Sequence, residues 1–239
     1  MNELPVECKK NLCLAQLFLV DSNISETAWS FGGGTALRMY YNHRESNDID
    51  IFLHDAQLLT WLSPRLNDFV EEHVTGYTEM SNFLKLNINE QEIDFIVAPF
   101  LTKNPFIQAT INSRNIRCET PEEIVIKKIF YRSESFLARD ILDFAVVILH
   151  SREQLIENKD IYCHKIPALR NRIQKIAPVF QDEIAKLKIL DKTLQGIAIK
   201  TVLNFLDDIG AICQMAGKTS RGPRKNRKSL FHGSPGTCH

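Results

Sequence analysis

Asp48 and Asp50 lie in the run D-I-D-I-F-L, 13 residues after Thr35. Polar and apolar residues alternate strictly there, so residues 48–53 read as a strand with both carboxylates on one face and Ile49, Ile51 and Leu53 on the core side. Two carboxylates on one face repel each other, and a divalent cation relieves that repulsion. Mg²⁺ (or Mn²⁺) takes one or two protein carboxylates together with substrate phosphate oxygens. Upstream, Gly32-Gly33-Gly34-Thr35 opens a helical pattern. Glycines at a helix start let the backbone approach an anion, the free N–H groups of the first turn point at it, and the Thr35 hydroxyl adds a donor. No Gly-Lys-Ser/Thr follows, so this is not a Walker loop. A glycine turn facing paired carboxylates is a device for holding a metal and a nucleoside triphosphate together.

Other residues extend the pattern. Asp94, on a second strand, supplies a third carboxylate if the two strands are neighbours, and three carboxylates can serve two metals in phosphoryl chemistry. Lys128 and Arg132 are four residues apart on one helix face, where both can reach a triphosphate, whereas Lys127 points about 100° away and reads as solvated. Arg44 pairs either with the carboxylates or with the nucleotide, and Ser46 hydrogen-bonds near the metal, both in supporting roles. Arg139, Asp140 and Asp143 form either a helix-packing ion pair or part of the site.

The elements that must position these groups follow from periodicity. An apolar helix covers residues 12–20, a short apolar segment covers 28–31, and a helix covers 35–43. A helical stretch over 56–74 is broken or bent at Pro64. Residues 83–88 and 92–97 form a hairpin around Asn89-Glu90-Gln91. From Thr120 the pattern turns helical: Thr120 is an N-cap, Pro121 sits at the first helical position and Glu123 completes a capping box. Further helices cover 138–150 and 192–215. The expectation is an α+β chain, with a mixed β-sheet core flanked by helices over 1–118, a helical bundle over 119–217 and a basic, disordered tail over 218–239.

The run G-G-T-A-L followed by H-R-x-S-x-D-I-D-x-F resembles the nucleotidyltransferases of the AbiEii/AbiGii toxin type, members of the polymerase-beta-like nucleotidyltransferase superfamily. Matching stretches continue in order with E-I-D-F-I (92–96), E-E-I-V-I-K-K-I-F-Y-R (122–132) and A-R-D-I-L-D (138–143). The likeness covers residues 28–150 and says little about 151–239. It implies that Gly33, Gly34 and Thr35 hold the nucleotide phosphates. By the same likeness Asp48 and Asp50 bind metal, Asp94 matches the superfamily's third carboxylate, and the helices carrying Lys128 and Asp140 contact nucleotide or complete the site. The implied activity moves an NMP from an NTP to an acceptor hydroxyl on RNA such as tRNA, or on a protein, in a toxin–antitoxin or phage-defence setting with a possible cognate antitoxin. Two other readings share the motifs: a small-molecule, aminoglycoside-type nucleotidyltransferase, and a non-catalytic nucleotide-binding or antitoxin-like interaction protein.

Composition bounds this reading. The 239 residues carry 29 basic and 29 acidic side chains, but six of the basic ones and no acidic one fall in 218–239, so the body stands at −6 and the tail at +6. Such a body binds nucleic acid only through a local basic strip, around Lys127, Lys128, Arg132 and Arg139. No apolar run approaches the roughly 18 residues of a membrane span, and the polar N-terminus lacks the order of a secretory signal, so a cytoplasmic protein without a membrane partner is expected. The six cysteines lack a C-x-x-C pair and read as free thiols, and Cys163-His164 reads as structural rather than half a metal site.

Overall fold

A computed structural model describes residues 1–89 and 91–219. The strands are Trp29–Gly32 (β1), Ile49–Leu53 (β2), Gly76–Glu79 (β3), Phe83–Ile88 (β4), Gln91–Val97 (β5), Phe106–Ile111 (β6) and Arg114–Glu119 (β7). The α-helices are Val6–Asp21 (α1), Gly33–Tyr41 (α2), Gln57–Leu62 (α3), Asp68–Glu71 (α4), Pro121–Arg132 (α5), Ala138–Glu157 (α6), Lys159–Tyr162 (α7), Ile166–Ile176 (α8), Phe180–Ala185 (α9) and Thr193–Thr219 (α10). This is an α+β fold around one mixed sheet of order β3-β4-β5-β2-β1-β7-β6. Its centre is parallel where β2 meets β5 and where β1 meets β7, while β1 and β2 are antiparallel.

The alternation in β2 holds: Ile49, Ile51 and Leu53 are fully buried on the core face, with Asp50 and Phe52 on the other. In β5, Ile93 and Phe95 join that core while Glu92, Asp94 and Ile96 take the opposite face. The β4–β5 turn is tighter than the three-residue loop expected, because Gln91 already pairs with Ile88 and Asn89 adopts a left-handed φ of 56°. β1 reads in the sequence only as an apolar segment, and three further strands escaped the sequence reading. β3 and β6 lie at the sheet edges and bury little, so their composition carries no alternation. β7 pairs with β6 through Asn112 and Ser113, both at positive φ (52° and 63°), a hairpin geometry whose sequence signal was available.

Thr120 caps α5, accepting from the Glu123 amide, and Pro121 takes the first turn. The capping box is incomplete: the Glu123 carboxylate instead accepts from the Leu101 and Thr102 amides and the Thr102 hydroxyl, because it is buried against that loop. The helix expected over 138–150 ends at a kink, non-helical Ser151, beyond which α6 continues to Glu157. α6 packs on α10 through Phe144 and Phe205, whose rings meet edge to face at 5.6 Å. α10 extends to Thr219, two residues into the stretch read as tail, and the remainder of that tail, with its basic cluster, lies outside the described residues. The expectation of free thiols fails at one place. Cys163 and Cys213, 50 residues apart in sequence, are paired, because folding α10 back over the α7–α8 connection brings them together. Cys8, Cys13 and Cys118 are free.

Candidate active site

The face of the sheet opposite the core opens into a cleft of about 460 Å³, bounded by the β2, β4 and β5 side chains, the β1–α2 turn and α5. Register assembles its carboxylates: Asp50 pairs with Asp94 across the parallel β2–β5 ladder, so the two side chains emerge side by side, and Asp48 stands at the mouth of β2. No hydrogen bond reaches the carboxylates of Asp48 or Asp50 among the described residues, and Asp94 Oδ1 is buried without a partner. Burial raises the Asp94 pKa from 3.8 to about 7, helped by repulsion from Asp50 and opposed by Lys85. Burial likewise lifts Asp50 to about 6, against the pull of Lys128. Asp48 is raised by burial and by Glu92.

The glycine turn fits against these carboxylates. Gly33 adopts φ +70°, and a Cβ there would lie 1.7 Å from Asp50 Oδ2. A Cβ on Gly34 would lie 2.6 Å from Ser46 Oγ and 2.7 Å from Arg44 Nη2. Both glycines and Ser46 line the cleft. Thr35 does not: it is fully buried, and its hydroxyl donates to the Asp48 carbonyl at 2.6 Å, anchoring the carboxylate strand to α2. The hydroxyl expected to meet a phosphate is here held by the Asp48 carbonyl instead.

Behind the carboxylates runs a buried ion network. Arg44 donates to Asp143 from Nε (2.7 Å) and Nη2 (2.8 Å), and His43 Nε2 lies 2.7 Å from the same carboxylate. Lys128 bridges Asp143 and Asp140, at 3.0 Å from the latter, and Arg132 also pairs with Asp140. Asp140 Oδ2 accepts from the Leu137 amide at the start of α6. Burial would raise Asp143, but Arg44 and Lys128 outweigh it and hold its pKa well below the ordinary carboxylate range. Arg44 pairs with Asp143 rather than with Asp48 or Asp50, and it still lines the cleft. Asp140 is fully buried and does not line the cleft, so it orients Lys128 and Arg132, which do.

Lys127 overturns the expectation of a solvated side chain. It is 3% exposed, donates to Glu119 at 2.6 Å, and packs its ammonium over the Phe52 ring, 4.3 Å from the centroid. α5 thus turns Lys127 toward Glu119 and Phe52 of the sheet and Lys128 toward Asp140 and Asp143 of α6. Glu119 also accepts from Ser30 Oγ at 2.8 Å, and burial lifts its pKa to about 7 despite Lys127. The basic strip expected for nucleic acid thus loses Lys127 as a free charge, while Arg139 is exposed at the cleft rim beside Tyr131, which is 52% exposed.

Two site residues went unnoticed in the sequence: Lys85, opposite Asp94 in the β4–β5 register, and its partner Glu92. Their signal was present, since a two-residue turn pairing 88 with 91 also pairs 85 with 94. Among the described residues, no group of three His, Cys, Asp or Glu side chains is drawn together as a metal site. The donor chemistry nevertheless fits a hard divalent cation: three carboxylates face one cleft, two lack donors, and the third has an orphaned oxygen.

The family model that this chain matches gives its class, a nucleotidyl transferase. Residues 17–193 match the family described as Nucleotidyl transferase AbiEii toxin, Type IV TA system, and the chain belongs to that family. No curated protein matches it in sequence. Among solved structures it is similar to JHP933 from Helicobacter pylori, at 15% identity and TM-score 0.46, over 91% of this chain and 98% of that one. It is also similar to ANT(2")-Ia in complex with adenylyl-2"-tobramycin, at 17% identity and TM-score 0.45, over 64% and 97%. A third is an antigenic nucleotidyltransferase-like protein from Paracoccidioides brasiliensis, at 16% identity and TM-score 0.43, over 76% and 95%.

Proposed function

We propose that this chain is a metal-dependent nucleotidyltransferase that moves an NMP from an NTP to an acceptor hydroxyl, and that it is the toxin of a bacterial toxin–antitoxin or phage-defence system. The observation that carries the reading is the side-by-side pair Asp50 and Asp94, joined by Asp48 and facing the Gly33–Gly34 turn across one cleft. Asp48, Asp50 and Asp94 would hold Mg²⁺ (or Mn²⁺), which when bound neutralises phosphate charge and aligns the attacking and leaving oxygens.

The chain's own groups do the remaining work. The first-turn amides at Gly33 and Gly34, with Ser46, receive the phosphates. Lys128 and Arg132, held at the rim by Asp140 and Asp143, direct positive charge at the triphosphate, so that charge developing on the leaving group meets fixed donors. Asp94, beside Asp50 in the cleft, accepts the proton of the attacking hydroxyl. The acceptor is RNA such as tRNA, or a protein, approaching past Tyr131 and Arg139, and a cognate antitoxin is the expected partner. Among the described residues no helix is long and apolar enough to cross a membrane, and cytoplasmic action is part of the proposal. Labelled nucleotide incubated with total RNA or with cell protein tests it: the wild type labels one of the two, and an Asp48→Asn/Asp50→Asn double variant that melts like the wild type labels neither.

A further inference from the structure

We propose that Lys85 is a tethered counter-ion of the carboxylate cluster that keeps free metal weakly bound, so that the cation is taken up together with the nucleotide. This rests on the nucleotidyltransferase reading above. The β4–β5 register sets Lys85 directly across from Asp94, and its Nζ is ion-paired with Glu92 while lying 3.6 Å from Asp94 Oδ2. Glu92 precedes Asp94 by two residues on the same strand face, so it holds the ammonium over the cluster rather than away from it.

The more deeply buried cations of the cleft are paired away from the aspartates, Arg44 with Asp143, Lys128 with Asp140 and Asp143, and Lys127 with Glu119, while Arg139 stands exposed at the rim. Lys85, shared between Glu92 and Asp94, is the cation that stands directly over Asp94. A divalent ion approaching Asp94 alone works against this like charge, whose position is fixed by Glu92. A triphosphate changes the balance, because its negative charge gives the ammonium a second partner and screens it from the metal. The device makes metal loading conditional on nucleotide.

Mn²⁺ binding followed by electron paramagnetic resonance, with and without a non-hydrolysable triphosphate, tests the idea without any turnover. In the absence of nucleotide, Lys85→Met tightens Mn²⁺ binding by about five- to tenfold, the size of a screened charge interaction at a partly exposed site, whereas Lys85→Arg keeps the wild-type value. With the triphosphate present, the difference between wild type and Lys85→Met narrows. An unchanged or weaker Mn²⁺ affinity in Lys85→Met, beside a wild type that binds Mn²⁺ with triphosphate, overturns the role of Lys85 alone. A wild type that holds no Mn²⁺ even with triphosphate overturns the metal-dependent reading, and the counter-ion with it.

Discussion

Gly33 shows how narrowly single residues define the site. Its φ of +70° costs an alanine about 1–2 kcal/mol, and the added methyl would collide with Asp50. Gly33→Ala is therefore expected to lower denaturant stability by at least that amount and to abolish transfer, because Asp50 must move. Asp94 supplies a second prediction, in pH. Its folded pKa is raised from 3.8 to about 7, so over that interval the folded chain binds a proton that the unfolded chain has released, and its contribution to stability falls as pH rises. Asp94→Asn removes that penalty: its melting temperature exceeds wild type at about pH 8 and converges with it at about pH 4. The three aspartates, the glycines, Arg44, Ser46, Lys128 and Arg132 were all legible in the sequence because short-range alternation and motif spacing decide where they face. The partners of Arg44 and the burial of Lys127 were not, since both depend on contacts across roughly 100 and 8 residues respectively that only α5 and α6 packing decides.

At the level of elements, α5 and α6 clamp the site through ion pairs instead of apolar packing alone. Asp143 is fully buried and serves His43, Arg44 and Lys128 at once, so removing its charge leaves buried cations uncompensated. Asp143→Asn is expected to lose about 3–5 kcal/mol in urea unfolding, more than Asp208→Asn costs at the exposed Arg152–Asp208 pair. Because the Asp143 pKa is depressed in the folded chain, its stabilisation is present above the unfolded value and is lost only as pH falls through the lower folded one. Lys127→Met tests the second ion pair: it strands Glu119, whose Oε2 already lacks a partner, and should lower stability by a similar few kcal/mol. The helices and the central strands were readable because each buries one periodic face, whereas β3 and β6 at the edges bury too little to leave a pattern. Loop residues 43–45 show a further tie: the His43 carbonyl accepts from the Leu190 and Asp191 amides, and the Glu45 amide donates to Lys188, so the segment before α10 straps the loop that carries Arg44.

Across the whole molecule, charge divides into an acidic body and a basic C-terminal stretch, while the cleft itself interleaves Asp48, Asp50, Glu92 and Asp94 with Arg44, Lys85, Lys127, Lys128, Arg132 and Arg139. Truncation after Thr219 is expected to leave transfer intact, as judged by rate with saturating nucleotide, because the cleft is built wholly from residues 33–139. The pairing of register-matched carboxylates with a glycine turn makes nucleotidyl transfer the central claim, and the position of the label tests it most directly. With nucleoside triphosphate labelled at the α-phosphate, the wild-type protein should transfer label to an acceptor, while γ-labelled nucleotide should transfer none and the Asp48→Asn/Asp50→Asn variant should be silent with both. Transfer of the γ label, or undiminished α-label transfer by the folded double variant, would contradict the account.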